Sequence, residues 1–224
     1  MLALDGRGYA FNGSDRMIFE TNQKVLFMGD SVTDAGRRPA SVYGDGYVSQ
    51  VHSLLLARYP ELRLRIVNRG VGGDTTRDLA ARWERDVIDE QPDWLSLMIG
   101  INDVWRAFGP HTHEATPLPE YERNLRTLLG RVRSATGARL ILMTPYLIEP
   151  DRRQPMRRQM DLYGQVMRAL AAELDAPLVD TQAAFDTVLS ASKPTDWSDD
   201  QIHPNRPGHA VIALALLRAI GFEL

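Results

Sequence analysis

Ser31, Asp200 and His203 have the types and spacing that acyl transfer would use. That chemistry needs a hydroxyl nucleophile, a base, a group that orients the base and donors for an oxyanion. Ser31 follows Gly29 and Asp30, directly after the apolar run Lys24 to Met28 (KVLFM), so its hydroxyl sits at a sharp strand-to-helix turn. His203 supplies an imidazole. Asp200 stands three residues before it, close enough to hold one ring nitrogen within a single turn of chain. Asp199 is the alternative acid, and the three-residue spacing favours Asp200. The order Ser, Asp, His is one of several that build a triad. Oxyanion donors are on offer from the Ser31 N–H, the Gly73 N–H in a glycine-rich loop and the Asn102 amide.

Each segment has a plainer reading when taken alone. Gly-Asp-Ser is commonly a turn in which Asp30 or Ser31 caps the next helix. Gly70 to Gly73 is commonly a tight loop. It lacks both the Gly-Lys-Ser/Thr ending of a P-loop and the G-x-G-x-x-G spacing of a dinucleotide site. Their joint occurrence in order, each just after an apolar run, favours the chemistry. Asp30, Arg69, Trp105 and Trp197 flank these segments and are the candidates for contacting a substrate; an aromatic face could carry a sugar, or simply pack in the core. Arg106 follows Trp105 and could also reach a substrate oxygen. His111 and His113 form an H-x-H pair without a third ligand, a poor metal site. His52 and His209 fall inside helix patterns and read as structural.

The elements that must position these residues alternate simply. Lys24–Met28, Arg63–Asn68, Trp94–Ile99, Arg139–Met143 and Pro177–Asp180 are short apolar runs that read as buried strands. Helical stripes lie between them. One runs over Tyr47–Tyr59, closed by Pro60. A second carries Leu79, Trp83 and Val87 behind a Thr75/Asp78 capping box. A third carries Tyr121 to Val132, opened by Pro119 and ended by Gly137. Met160 to Leu174, Thr181–Leu189 and Pro207–Ile220 complete the set. Strands alternating with helices predict a parallel sheet covered on both faces, an α/β domain over residues 24–224. Such sheets bind ligands outside the carboxyl ends of their strands, where all four segments fall. Residues 1–23 carry no period and read as an N-terminal extension. The apolar Met17, Ile18 and Phe19 suit packing on the domain or on a second copy, as in a homo-oligomer. Residues 104–118 are the longest irregular stretch and the candidate for a flap.

Composition narrows the classes. The 224 residues are 44% hydrophobic and 25% charged, which fits one globular domain. Cysteine is absent, which excludes disulfides and thiolate chemistry. A net charge of −3 is too balanced for a protein that coats nucleic acid. No run approaches the roughly 18 apolar residues of a membrane span. No signal-peptide pattern opens the chain, so the expected location is the cytoplasm.

The segments GDSVTD, GVGGDT, GINDVW and DQIHP resemble the four sequence blocks of the SGNH (GDSL-type) hydrolases. The longer stretches GDSVTDAGRRP, VNRGVGGDTTRDLAARWERDV, PDWLSLMIGINDVWR and IHPNRPGHAVIALALLRAIGF resemble the serine acetylxylan esterase branch. The resemblance runs from about Asp15 to the C-terminus, with departures at 151–164 (DRRQPMRRQMDLYG) and 192–199 (SKPTDWSD). It implies a flavodoxin-like three-layer α/β/α sandwich with a central five-stranded parallel sheet. It also implies Ser31 as nucleophile, Asp200 and His203 as its triad partners, and Gly73 and Asn102 beside the Ser31 N–H in the oxyanion hole. No cofactor or metal is implied. The implied substrate is a small acetylated carbohydrate; from within the cytoplasm this means imported xylo-oligosaccharides. The alternatives are a thioesterase, lysophospholipase or aryl esterase with the same triad, or a flavodoxin-like module that binds a ligand without turning it over.

Overall fold

Five parallel strands form the centre: β1 (Lys24–Gly29), β2 (Arg65–Asn68), β3 (Trp94–Met98), β4 (Arg139–Met143) and β5 (Leu178–Val179). The computed structural model describes residues 17–110 and 112–223. The strand order is β2-β1-β3-β4-β5. Chain direction across the sheet therefore reverses between β1 and β3, and a crevice opens at that switch point beyond the strand ends.

The strands are buried on both faces, and their alternation sorts side chains into two cores. Leu26, Met28, Leu95, Leu97, Leu140 and Leu142 face one side. Helices α3 (Thr76–Trp83), α4 (Ile101–Trp105), α5 (Leu118–Thr136) and α6 (Pro155–Glu173) cover that side. Val25, Phe27, Trp94, Met98, Ile141 and Met143 face the other. There α2 (Tyr47–Arg58), α7 (Thr181–Leu189) and α8 (Arg206–Ala219) cover them, while the four-residue α1 (Ser31–Asp34) caps the end of β1. This is the expected three-layer α/β/α sandwich. Fully burying one Leu or Phe side chain stabilises a fold by about 1.5–3 kcal/mol, so the two cores hold the sheet rigidly under the site.

Met17, Ile18 and Phe19 pack on the domain itself. Phe19 is buried edge-on against Trp94, and the Ile18 N–H donates to the Ile220 carbonyl. Residues 1–16 and His111 lie outside the described residues, and with them most of the N-terminal extension and one half of the H-x-H pair.

Local differences from the expected elements have visible causes. β2 starts at Arg65 because Arg63 is left-handed (φ 47°) and closes a 3-10 turn over Pro60–Leu62. Helix α3 continues into a π turn, Glu84–Ile88. Residues 104–118 are more ordered than a bare loop. Helix α4 runs to Trp105, and 3-10 turns follow at Arg106–Phe108 and Thr112–Glu114. The Thr116 N–H donates to the Asp103 carbonyl, and the Tyr163 hydroxyl donates to the Thr116 carbonyl.

Candidate active site

Ser31 stands at the switch point, one residue beyond Asp30 at the end of β1. The Asp30 carboxylate accepts from the Val32 N–H at 3.0 Å and so caps α1. The Ser31 hydroxyl is 3.0 Å from His203 Nε2. On the other side of the ring, His203 Nδ1 is 2.6 Å from Asp200 Oδ2. With Nδ1–H donated to Asp200, Nε2 is left as an acceptor for the Ser31 hydroxyl proton. This is the geometry in which an imidazole takes a proton from a hydroxyl during attack.

The loop that carries Asp200 and His203 is fixed at several points. Asp200 Oδ1 accepts from the His203 N–H (2.7 Å), the Ile202 N–H (2.9 Å) and the Ser198 hydroxyl (3.0 Å). Burial pushes this carboxyl up, but the bonds from the His203 ring, the two backbone amides and Ser198 outweigh it and hold Asp200 down at about 2. The Tyr146 hydroxyl donates to the Ile202 carbonyl, and the Ile148 N–H donates to the Gln201 carbonyl. Ser198 is buried, and no feature of its sequence position beyond the two-residue spacing to Asp200 announces it. Asp199 is exposed. The structure therefore joins Asp200, not Asp199, to His203.

The second wall is the glycine loop after β2. Gly70 passes so close to α1 that a β-carbon there would lie 2.2 Å from the Asp34 backbone nitrogen. Gly73 has φ +83°, which glycine adopts at low cost. A β-carbon on the intervening Gly72 would lie 3.8 Å from Ser31 Cβ, so the loop runs alongside the serine. Arg106 Nη2 donates to the Gly73 carbonyl at 2.5 Å and braces this turn from the 3-10 turn that follows α4. Asn102 Nδ2 donates to the Asp74 carbonyl at 2.9 Å. That bond uses one hydrogen of the amide and leaves the second for another acceptor.

Arg82 ties the segments together. Its Nε pairs with Asp74 at 2.6 Å, Nη1 reaches the Arg69 carbonyl at 2.8 Å and Asp86 at 2.9 Å, and Nη2 reaches the Gly29 carbonyl at 3.2 Å. One planar guanidinium thus binds the ends of β1 and β2 and the glycine loop. On α4, Asp103 accepts from the Thr76 N–H and from the Thr76 hydroxyl at 2.7 Å, which locks α4 to the start of α3. Neither Arg82 nor Arg106 has a motif that marks it; only the folded loops show what they hold.

Three carboxyls lie beneath the site. Burial pushes Asp30 up to about 7; the Val32 N–H opposes this, and the Asp103 and Asp74 charges add to it. Burial also raises Asp103, against the hydrogen bonds from Thr76. Asp74 is raised by burial as well, against its partner Arg82.

The other residues singled out by sequence fall differently. Asp30 is 2% exposed and serves as a cap beneath Ser31. Arg69 Nη2 pairs with Glu90, which also pairs with Lys24 at the far end of β1, and Arg69 Nε is buried without a hydrogen-bond partner. Trp105 is 44% exposed at the end of α4 and presents a free face. Trp197 is half-buried against the α2/α8 core, with its indole N–H on the Ser192 hydroxyl at 2.8 Å. His52 stacks on Tyr43 at 4.1 Å between ring centroids.

Known proteins similar to this chain point to one family. The model of the GDSL-like lipase/acylhydrolase family matches residues 27–211. An acetylxylan esterase from Geobacillus stearothermophilus is 49% identical over 211 residues, covering 91% of this chain and 96% of that one. A crystal structure of an acetylxylan esterase from that organism superposes with a TM-score of 0.89 at 46% identity, covering 92% of this chain and 98% of the other. Solved variants of it, with a single serine, aspartate or histidine replaced, are described as catalytic mutants. Thioesterase 1/protease 1/lysophospholipase L1 of Escherichia coli is 29% identical over 84% of this chain and 79% of its own length. Sheet order, a serine at the switch point and a match that spans Ser31, Asp200 and His203 lead to one assignment: the chain belongs to the GDSL-like lipase/acylhydrolase family.

Proposed function

We propose that this esterase removes acetyl groups from xylo-oligosaccharides through an acyl-enzyme on Ser31. The observation that carries the mechanism is the continuous chain from the Ser31 hydroxyl through His203 to Asp200, 3.0 and 2.6 Å. His203 Nε2 takes the hydroxyl proton as Ser31 Oγ bonds to the acetyl carbonyl carbon. Asp200 holds the ring and stabilises its cation. The Ser31 and Gly73 N–H groups and the free Asn102 hydrogen receive the oxyanion. His203 then gives its proton to the sugar oxygen as the ester bond breaks. Water, deprotonated by the same imidazole, attacks the acetyl-Ser31 ester and releases acetate and the free serine. The choice of substrate is supported by the 49% identity to the acetylxylan esterase, against 29% to the thioesterase/lysophospholipase.

The test is acetate release from acetylated xylo-oligosaccharides, set beside a series of aryl esters of rising acyl length. The reading expects acetate release and a steep fall beyond short acyl groups. Rates that rise with chain length, with no acetate released from the sugar, would move the assignment to a longer-chain esterase or thioesterase. A cytoplasmic site of action on imported oligosaccharides belongs to the same proposal; an active pool in the culture fluid of the producing cells would contradict it.

A further inference from the structure

A groove of about 960 Å³ starts at Ser31 and His203 and runs across the outer face of α2 to the start of α8. Its volume lies at the upper end of the roughly 300–1,000 Å³ usual for small-molecule sites. An acetyl group needs only a fraction of it. The Gly73 and Asn102 side of Ser31 contributes nothing to its lining. The groove therefore leaves the serine on the imidazole side, away from the oxyanion donors.

That side is fixed by the reaction. The leaving oxygen must face His203 Nε2 to be protonated, while the carbonyl oxygen faces the opposite donors. Whatever alcohol the ester carries is thus directed into this groove. Its walls mix the two kinds of surface that a sugar ring offers. Val32, Ala35, Leu54 and Pro204 are apolar, and Ser49, Gln50 and Ser53 present hydroxyls and an amide from successive turns of α2. Gln50 Nε2 donates to the Arg206 carbonyl at 3.3 Å, which leaves Oε1 as an acceptor. The Ser53 hydroxyl donates to the Ser49 carbonyl at 2.8 Å, which leaves its lone pairs free.

His209 adds a donor to this set. Its Nδ1 accepts from the Tyr47 N–H at 3.2 Å, so the neutral ring carries its proton on Nε2. Burial, with a smaller push from His203, lowers His209 to about 4 and keeps it neutral at pH 7. The ring lines the groove although the residue is 8% exposed.

We infer that the α2/α8 groove seats the sugar of the leaving alcohol, with Gln50 and Ser53 accepting from its hydroxyls and His209 Nε2–H donating to one. This inference rests on the proposed deacetylase reading and names the part of the protein that would give it specificity.

The experiment compares kcat/KM for an acetylated xylo-oligosaccharide with kcat/KM for 4-nitrophenyl acetate, as a ratio, in the full-length protein. S53W fills the groove from an exposed helix position, and the ratio should fall about tenfold or more. H209N keeps an acceptor for the Tyr47 N–H but loses the distal donor. Its ratio should fall roughly three- to tenfold, mainly through KM. L56W, on an exposed position of α2 outside the groove, should leave the ratio at the wild-type value. Unmodified xylo-oligosaccharide should also inhibit aryl ester hydrolysis by the wild type more strongly than by S53W. Acetate release by the wild type with an unchanged ratio in S53W and H209N would overturn the groove alone. No release from the sugar by the wild type would overturn the substrate reading, and the sugar's place in the groove with it.

Discussion

His203 Nδ1 and Asp200 Oδ2 stand 2.6 Å apart, and the same aspartate accepts the backbone N–H of that histidine with its other oxygen at 2.7 Å. One carboxylate thus fixes both the ring and the main chain of the residue it orients. Asp200→Asn puts an amide where an acceptor is needed and favours the wrong tautomer of His203. The expected result is a fall in kcat of roughly 10⁴-fold with KM little changed, measured on an aryl acetate. A variant within about tenfold of wild type, a barrier change near 1.4 kcal/mol, would remove Asp200 from the triad.

On the proposed mechanism, Asn102→Ala removes one oxyanion donor, and it also frees the Asp74 carbonyl. Losing one such donor costs about 2.7–4 kcal/mol of transition-state stabilisation, so kcat should fall by about 10² to 10³. A change confined to KM would show instead that Asn102 contacts the ground state.

Gly70 has backbone on its open side, so no side-chain movement can make room for a β-carbon. Gly70→Ala should cost roughly 1–3 kcal/mol or more, a drop of several degrees in the melting temperature. Gly109 has open space at the same test position and serves as the control. Equal melting temperatures for the two alanine variants would mean that the loop is not pressed on α1.

Burial of Asp30 predicts a pH effect of definite sign. Its folded value of about 7 lies above the ordinary 3.8, so the folded state holds a proton that the unfolded state has released. Stability must then fall as pH rises from about 4 to about 7, by at most roughly 4 kcal/mol from this group. Asp200, held at about 2, acts only below that window. Asp30→Asn retains a cap for α1 and removes the titration. Its stability relative to wild type should grow between pH 4.5 and 8 in chemical unfolding experiments. Parallel stability curves would contradict the burial argument.

Much of this was legible in the sequence because the strands are buried on both faces and read as unbroken apolar runs. Lys24–Met28 and Arg139–Met143 fall within a residue of the observed strands. Thr75 and Asp78 form the expected capping box in full. The hydrogen-bonded chain of Ser31, His203 and Asp200 was legible because such an arrangement needs particular residue types just beyond strand ends. What braces them was not, since Arg82 and Arg106 act through carbonyls of distant loops and any surface arginine looks the same in a sequence. Arg69 and Trp197 stand beside the motifs and so were candidates for substrate contact; what the sequence did not show is that Arg69 Nη2 pairs with Glu90 and that the Trp197 indole N–H donates to the Ser192 hydroxyl. His209 reads as a helix residue and is one, yet its ring also reaches the groove because Gly46 admits it: a β-carbon there would lie 2.6 Å from the imidazole.

The central claim is that Ser31 carries the acyl group. The most direct measurement is mass spectrometry of the protein after inactivation by an organophosphate that mimics the tetrahedral adduct, with Ser31→Ala beside it. The account predicts one adduct per chain, on the peptide containing Ser31, and no adduct and no esterase activity in the variant. Full inactivation with Ser31 unmodified, or a Ser31→Ala protein that still releases acetate at the wild-type rate, would contradict it.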